Sequence, residues 1–245
     1  FKRECMVRKA SYFPPFSHIL RLMVESEDEE TAINTLKSAF ENGIDRIVAT
    51  PHLYASYHSL DERIAKRDER FNLLNEYIRQ SGLTVKILPG FEVRYFDGIS
   101  RSDSLDKLCI NNSKVLLLEL GLIPITEKVI DEIVELDYSG YTVVLAHIER
   151  YHKMPGFKAV QQILKNKYAI AQLTASSLLS GPFKSAAFRL LKQSPNVVIA
   201  SDMHSVDVRP PVISQAYDAI KAKFGPAKQN TIIYNSNRLF DIVGE

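Results

Sequence analysis

An acidic or imidazole side chain stands at the downstream end of each of five short apolar runs in this sequence. Stretches with helical periodicity separate these strand-like runs, which predicts alternating β and α units and a parallel sheet. The carboxyl ends of such strands lie at one edge of the sheet, where βα barrels build their active sites. The five residues at these ends are His52, Glu92, Glu119, His147 and Asp202.

One such residue could be a helix cap or a satisfied structural group, but five in register indicate a shared site. Burying several charges together is costly unless a metal ion or an opposite charge compensates them. His204 beside Asp202 and His18 near the start add imidazole nitrogens. Oxygen and nitrogen donors together are typical of divalent metal sites. The set therefore predicts a multi-metal hydrolase.

Composition limits the classes of protein to which the chain can belong. Its 245 residues, 45% hydrophobic and 24% charged, predict a single domain over residues 1–245, with an irregular segment at 1–16. The 31 basic and 29 acidic side chains leave a net charge of +2. That small charge gives no electrostatic reason to expect binding to nucleic acid or to an anionic membrane.

The sequence also indicates neither membrane insertion nor a disulfide framework. No apolar run approaches the roughly 20 residues of a transmembrane helix, and the first residues lack the apolar core of a signal peptide. Cys5 and Cys109 are too few and too far apart in sequence to suggest a set of disulfides. We therefore expect a cytoplasmic protein.

The order of strands and helices favours a closed α/β barrel over an open doubly wound sheet. An open sheet usually carries a glycine-rich phosphate loop after an early strand, whereas this chain has no such loop and only 10 glycines. Ligands at five strand ends also suit a barrel mouth. The predicted strands are 44–52, 85–90, 114–120, 141–147, 168–174 and 196–201, and the predicted helices are 27–42, 60–80, 126–140, 157–166, 183–193 and 211–225.

Six motifs, in their order and separation, resemble those of one known family. They are ATPHLY, PGFEVRY, LLLEL, LAHIERY, QLTASSL and SDMHSVDVRPP. The sequence resembles the PHP (polymerase and histidinol phosphatase) phosphoesterases, and within them the CpsB/YwqE-type bacterial protein-tyrosine phosphatases of capsule and exopolysaccharide synthesis. This resemblance implies a distorted (β/α)7 TIM-like barrel with a metal site at the carboxyl ends of its strands.

The resemblance also assigns metal ligands. They are His18, Glu25, His52, Glu92, Glu119, His147, Asp202 and His204. Glu92 would bridge two ions, the first completed by His18 and Asp202 and the second by Glu119 and His147, while His52 and His204 would hold a third. The implied cofactor is Mn²⁺, as two to three divalent ions, with Fe, Zn or Mg as alternatives.

Two arginines match the family's phosphate-binding residues. Arg150 lies in HIERY and Arg209 lies in VRPP. A guanidinium group remains charged and can bind a phosphate through two hydrogen bonds, so both residues are predicted to bind substrate and to assist catalysis.

The N-terminal segment departs from the family pattern. Phe16 occupies the place of the first histidine of a His-x-His pair, and His18 retains the second. Glu25 stands where the family has an aspartate, and Pro14 and Pro15 lie where the first strand should run. Because Phe16 cannot bind a metal ion and proline removes a ladder donor, we expect the first metal site to be weakened.

These observations predict metal-assisted hydrolysis of phosphotyrosine on a protein. Neither cysteine lies in a phosphate loop, so a cysteine nucleophile is not indicated. The resemblance implies that the substrate is the tyrosine-rich tail of a bacterial tyrosine kinase. The alternatives are a small-molecule phosphoesterase resembling histidinol-phosphate phosphatase, and a protein that binds its ligand without turnover because Phe16 replaces a metal ligand.

Overall fold

The computed structural model describes residues 29–41, 44–54, 59–203 and 211–244. Strands and helices alternate through most of these residues. The strands are β1 Arg46–Ala49, β2 His52–Leu53, β3 Lys86–Pro89, β4 Glu92–Arg94, β5 Val115–Glu119, β6 Thr142–Leu145, β7 Ile170–Thr174 and β8 Val197–Ala200. The helices are α1 Glu29–Glu41, α2 Leu60–Ser81, α3 Leu105–Leu108, α4 Glu127–Tyr138, α5 Phe157–Lys165, α6 Ala175–Leu179, α7 Lys184–Gln193, α8 Ile213–Phe224 and α9 Pro226–Gly244.

The strands form two parallel sheets. One contains β1 and β3, and the other has the order β2-β4-β5-β6-β7-β8. Every pairing between described strands is parallel, so the helices act as crossover connections. This confirms the predicted α/β fold with a parallel sheet. The first predicted barrel strand lies outside the described residues, and closure of the barrel stays a prediction.

The predicted strand 44–52 is in fact two strands, β1 and β2. Pro51 separates them, and Pro89 and Gly90 separate β3 from β4 in the same way. The pairing continues across both breaks, since the amide nitrogen of Gly90 donates to Ala49 and that of Glu92 donates to Pro51. A Cβ at position 90 would lie 3.2 Å from Cγ2 of Thr50, so glycine allows the two segments of backbone to approach closely. His52 and Glu92 consequently begin β2 and β4.

The strands alternate between two hydrophobic clusters. On β5, Leu116 and Leu118 belong to the larger cluster, which packs the strands against the helices. Val115 and Leu117 belong to a smaller cluster on the other face of the strand. Side chains alternate faces along a strand, so Glu119 continues the row of Val115 and Leu117. The alternation thus directs an acidic group to the face of the smaller cluster, at the carboxyl edge.

Helix boundaries largely follow the sequence signals. Helix α2 begins after Ser59, whose hydroxyl accepts a hydrogen bond from the amide of Glu62, and it ends at Ser81, followed by Gly82 with φ of 68°. The predicted helix 60–80 is therefore confirmed almost residue for residue. Helix α9 was not predicted from the sequence. Within the described part of the chain, no helix is both long enough and apolar enough to cross a membrane.

Candidate metal centre

Three adjacent strands bring His52, Glu92 and Glu119 together. His52 is aligned with Glu92 in the pairing of β2 with β4, while Glu119 closes β5 beside β4. One ligand atom from each of the three lies within 4.8 Å of the others. Nδ1 of His52 is 3.3 Å from Oε1 of Glu92, whose side chain is fully buried. The sequence prediction that these strand ends converge is confirmed for these three residues.

His147 joins the same group from β6. Its Nε2 lies 3.2 Å from Oε1 of Glu92 and 3.6 Å from Oε1 of Glu119. The backbone of His147 has φ of 34°, in the left-handed region, and it turns the chain from β6 into the 3-10 helix Ile148–Tyr151. Such a conformation is unfavourable for a residue other than glycine, and it recurs at functional sites. The ring of Tyr151 stacks on the imidazole with centroids 6.0 Å apart.

The donors in this group fit a divalent cation. Two imidazoles lie within 3.3 Å of one carboxylate oxygen of Glu92. A carboxylate oxygen of Glu119 lies within 4.8 Å of a ligand atom of Glu92 and of His52. Two carboxylates brought this close in a buried site repel each other, and a bound cation would offset that repulsion. Imidazole nitrogens and carboxylate oxygens suit several transition metals, so the donor set does not by itself select one.

Asp202 and Arg150 form a second pair of predicted site residues. The Arg150 guanidinium makes a close ion pair with Asp202 and donates a hydrogen bond to Oγ1 of Thr174 at 3.3 Å. Asp202 follows β8, is fully buried and has φ of 52°. Among the described residues, the carboxylate of Asp202 is not grouped with His52, Glu92 and Glu119. Its assignment as a metal ligand stays a prediction.

Several predicted site residues lie outside the residues that the structure describes. They are His18, Glu25, His204 and Arg209, together with Phe16. Their roles remain as the sequence predicts them.

Sequence reasoning missed Glu149, which sits between His147 and Arg150. Oε1 of Glu149 accepts hydrogen bonds from the amide of Thr174 at 3.2 Å and from Oγ of Ser177 at 2.8 Å. The side chain is fully buried, and this burial raises its pKa, although the hydrogen bond from Ser177 acts in the opposite direction. These bonds tie the 3-10 helix to the end of β7. No signal marked this role, because the partners are 25 and 28 residues away.

Sequence reasoning also missed Arg94, although a signal was present. Arg94 lies two residues after Glu92, and residues i and i+2 of a strand face the same side. Its Nη1 is 2.9 Å from Oε2 of Glu119. The two groups form a contact between opposite charges rather than a hydrogen bond.

Fold and site together define an α/β protein of parallel strands with side chains that could hold a metal ion at the carboxyl edge of its sheet, an arrangement typical of metal-dependent hydrolases. The chain belongs to the CpsB/CapC family of capsular polysaccharide synthesis, whose model matches residues 16–241. The family resemblance read from the motifs is thereby confirmed.

Named relatives agree with this membership. The tyrosine-protein phosphatase CpsB of Streptococcus agalactiae serotype III (strain NEM316) is 27% identical over 83% of this chain and 86% of its own length. The putative tyrosine-protein phosphatase CapC of Staphylococcus aureus is 31% identical, over 82% of each chain.

A solved structure shares the fold. It comes from the crystal structures of YwqE from Bacillus subtilis and CpsB from Streptococcus pneumoniae, which are metal-dependent tyrosine phosphatases. The match has a TM-score of 0.81 and 21% identity, and it covers 93% of this chain and 95% of the other.

Proposed function

We propose that this protein is a metal-dependent phosphatase that hydrolyses phosphotyrosine on a protein. The observation that carries the proposal is the grouping of His52, Glu92 and Glu119 at one edge of the sheet, with His147 beside both carboxylates. The names of its relatives support the substrate class, because CpsB of Streptococcus agalactiae and YwqE of Bacillus subtilis are both called tyrosine-protein phosphatases.

The proposed centre holds two to three divalent ions, with Mn²⁺ as the expected metal. Its proposed ligands include Glu92, Glu119, His147 and His52. When bound, the ions would lower the pKa of a coordinated water and would supply positive charge for the phosphate oxygens. Asp202 and the undescribed residues His18, Glu25 and His204 complete the ligand set as the family resemblance assigns it. A single domain over residues 1–245 remains part of the proposal.

Arg150 is the proposed phosphate-binding group among the described residues. Its contacts with Asp202 and Thr174 fix the orientation of the guanidinium group, and its side chain remains 28% exposed. A guanidinium group has five N–H donors, so the remaining ones can bind phosphate oxygens. Arg209 is proposed for the same role.

The proposed hydrolysis does not use Cys109 as a nucleophile. That thiol is fully buried, and burial raises its pKa to about 12. Because phenolate is a good leaving group, hydrolysis of phosphotyrosine also places little demand on a general acid. We propose the tyrosine-rich tail of a bacterial tyrosine kinase as the physiological substrate and the cytoplasm as its location.

The proposal predicts metal-dependent turnover that requires Glu92. Metal-stripped protein should hydrolyse a phosphotyrosyl peptide only after Mn²⁺ is added. The substitution Glu92→Gln should lower kcat/KM by at least about 100-fold, because it removes a charged ligand from the site, and even outer partners of ligands contribute about 10–100-fold. Phosphate release and bound metal, determined by elemental analysis, are the measurements.

The matched control is Glu69→Gln, the same substitution on the exposed surface of α2, which should leave both measurements unchanged. Faster hydrolysis of histidinol phosphate than of the phosphotyrosyl peptide would favour a small-molecule phosphoesterase instead. Metal binding without any turnover would identify a ligand-binding protein.

A further inference from the structure

Arg94 is placed beside the metal centre by the pairing of two strands. It is aligned with Glu119 in the pairing of β4 with β5, and the next amide, that of Tyr95, donates to the backbone oxygen of Glu119 at 2.8 Å. The two side chains therefore leave neighbouring strands at the same level. Their contact, 2.9 Å from Nη1 to Oε2, follows from the backbone register.

Gly121 provides the space that the guanidinium group occupies. A Cβ at this position would lie 2.6 Å from Cζ of Arg94 and 3.0 Å from Nη2. The amide nitrogen of Gly121 donates to the hydroxyl of Tyr151 at 3.2 Å, and the Tyr151 ring stacks on His147. The backbone beside Arg94 is thus fixed to the same group of residues.

The two oxygens of Glu119 have different surroundings. Oε2 faces the guanidinium group of Arg94, while Oε1 lies 3.6 Å from Nε2 of His147. We propose that Arg94 is a positioning residue of the metal centre, which holds Oε2 of Glu119 and leaves Oε1 as the oxygen available to a divalent cation. This inference rests on the proposed metal centre and adds a residue to it.

Two opposing effects of Arg94 on metal affinity must be weighed. Its positive charge repels a cation, whereas its contact with Glu119 orders a ligand. The side chain of Arg94 is 32% exposed, so solvent and salt screen the repulsion. Ordering acts directly on a ligand with only 12% exposure. Partners that orient ligands typically contribute about 10–100-fold to metal affinity. The ordering of Glu119 by Arg94 therefore outweighs the repulsion between Arg94 and the cation.

The test is calorimetric titration of the metal-stripped protein with MnCl₂. Arg94→Met should raise the apparent Kd for Mn²⁺ by about 10–100-fold, because Met retains the length of the side chain but removes the charge that orders Glu119. Gly121→Ala should raise it in the same direction, since the added methyl group displaces the guanidinium group. Chemical denaturation of each metal-free variant checks that it is folded.

Gly140→Ala is the matched control for the glycine substitution. Gly140 has φ of 85°, close to the 79° of Gly121, but a Cβ at Gly140 meets no atom within 4 Å. Its substitution should therefore reproduce the backbone strain and leave the Kd for Mn²⁺ unchanged. An equal loss of affinity in both glycine variants would assign the effect to strain and overturn the inference.

A second outcome distinguishes positioning from substrate binding. The guanidinium group also lies 6.0 Å from the ring of Tyr54, which is partly exposed. Unchanged Mn²⁺ affinity in Arg94→Met would overturn the inference, and a raised KM for a phosphotyrosyl peptide would then make Arg94 a substrate contact. If wild-type protein bound no Mn²⁺, the proposed metal centre would fail as well, so the two failures are distinguishable.

Discussion

The thiol of Cys109 lies at the end of α3 with no exposed surface, and Sγ donates to the backbone oxygen of Leu105 at 3.4 Å. Burial is the main cause that raises its pKa to about 12, and the negative charge of Asp106 adds to the effect. Since only the thiolate reacts rapidly, Cys109 should resist alkylation in the folded protein.

We predict that iodoacetamide at pH 8 leaves Cys109 unmodified until the protein is denatured, as measured by mass spectrometry of the peptide that contains it. The raised pKa also links stability to pH. The folded state retains the proton from about pH 8.5, the usual thiol pKa, up to about pH 12. The free energy of unfolding should therefore fall as pH rises through this window, and Cys109→Ala should reduce that fall. Rapid alkylation of native protein would contradict the buried position.

At the residue scale, the sequence was sufficient to locate the candidate ligands that the structure brings together, but not the residues that contact them. His52, Glu92, Glu119 and His147 were found because each follows or ends an apolar run, which is a local signal. The partners of Glu149 are distant in sequence, and hydrogen bonds of that kind have no periodicity to reveal them. The alternation of side chains along a strand could have placed Arg94 on the same face as Glu92. Its contact with Glu119, however, depends on the register between β4 and β5.

At the scale of elements, helix α4 supports the segment that leads away from the candidate metal centre. Both carboxylate oxygens of Glu132 accept the amide hydrogen of Gly98, at 2.9 and 3.0 Å, and Glu132 is almost fully buried. One turn later, Glu135 accepts a hydrogen bond from Oγ of Ser100 at the exposed surface. The same helix thus holds the segment after β4 through a buried contact and an exposed one.

We predict that Glu132→Ala lowers the free energy of unfolding by about 1.5–3 kcal/mol, because it removes a hydrogen bond to a charged acceptor and leaves the amide of Gly98 without its acceptor. Glu135→Ala should cost no more than about 0.5 kcal/mol, as expected for an exposed position. Urea denaturation of the two variants measures both values. Equal losses would show that burial of the Glu132 carboxylate does not matter.

Elements with a strong hydrophobic periodicity could be predicted from the sequence, whereas very short strands and the last helix could not. Helices α2 and α4 carry apolar residues at helical spacing over three or more turns, so their ends were located within two residues. Strands β2 and β4 have two and three residues, too few to display alternation. Helix α9 follows α8 directly after Gly225 and interrupts the β–α alternation on which the prediction depended.

At the scale of the whole molecule, α9 completes the smaller hydrophobic cluster. Leu239, Phe240 and Val243 pack in that cluster with strand residues such as Val48 and Val198. Arg46 and Lys86 place their charged groups 5.5 Å from the Phe240 ring centroid, and Arg46 also pairs with Asp241. The last helix is therefore part of the same core as the first described strand.

We predict that Phe240→Ala lowers the free energy of unfolding by about 3–5 kcal/mol through loss of buried contacts and formation of a cavity. For a chain of this size, Tm should fall by roughly 6–20 °C. Tyr234→Ala, on the same helix with 63% of the residue exposed, should change stability by less than about 0.5 kcal/mol. Scanning calorimetry of both variants tests the prediction, which a small effect at Phe240 would contradict.

The left-handed backbone at His147 and Asp202 subjects the evolution of this chain to two opposing demands. Glycine would relieve each position of about 1–2 kcal/mol of local strain, but it would also delete the imidazole or the carboxylate placed there. Selection for heat resistance alone would therefore favour changes at two residues that are predicted to belong to the active site. Any stabilised version of this protein has to gain its stability far from the carboxyl edge of the sheet.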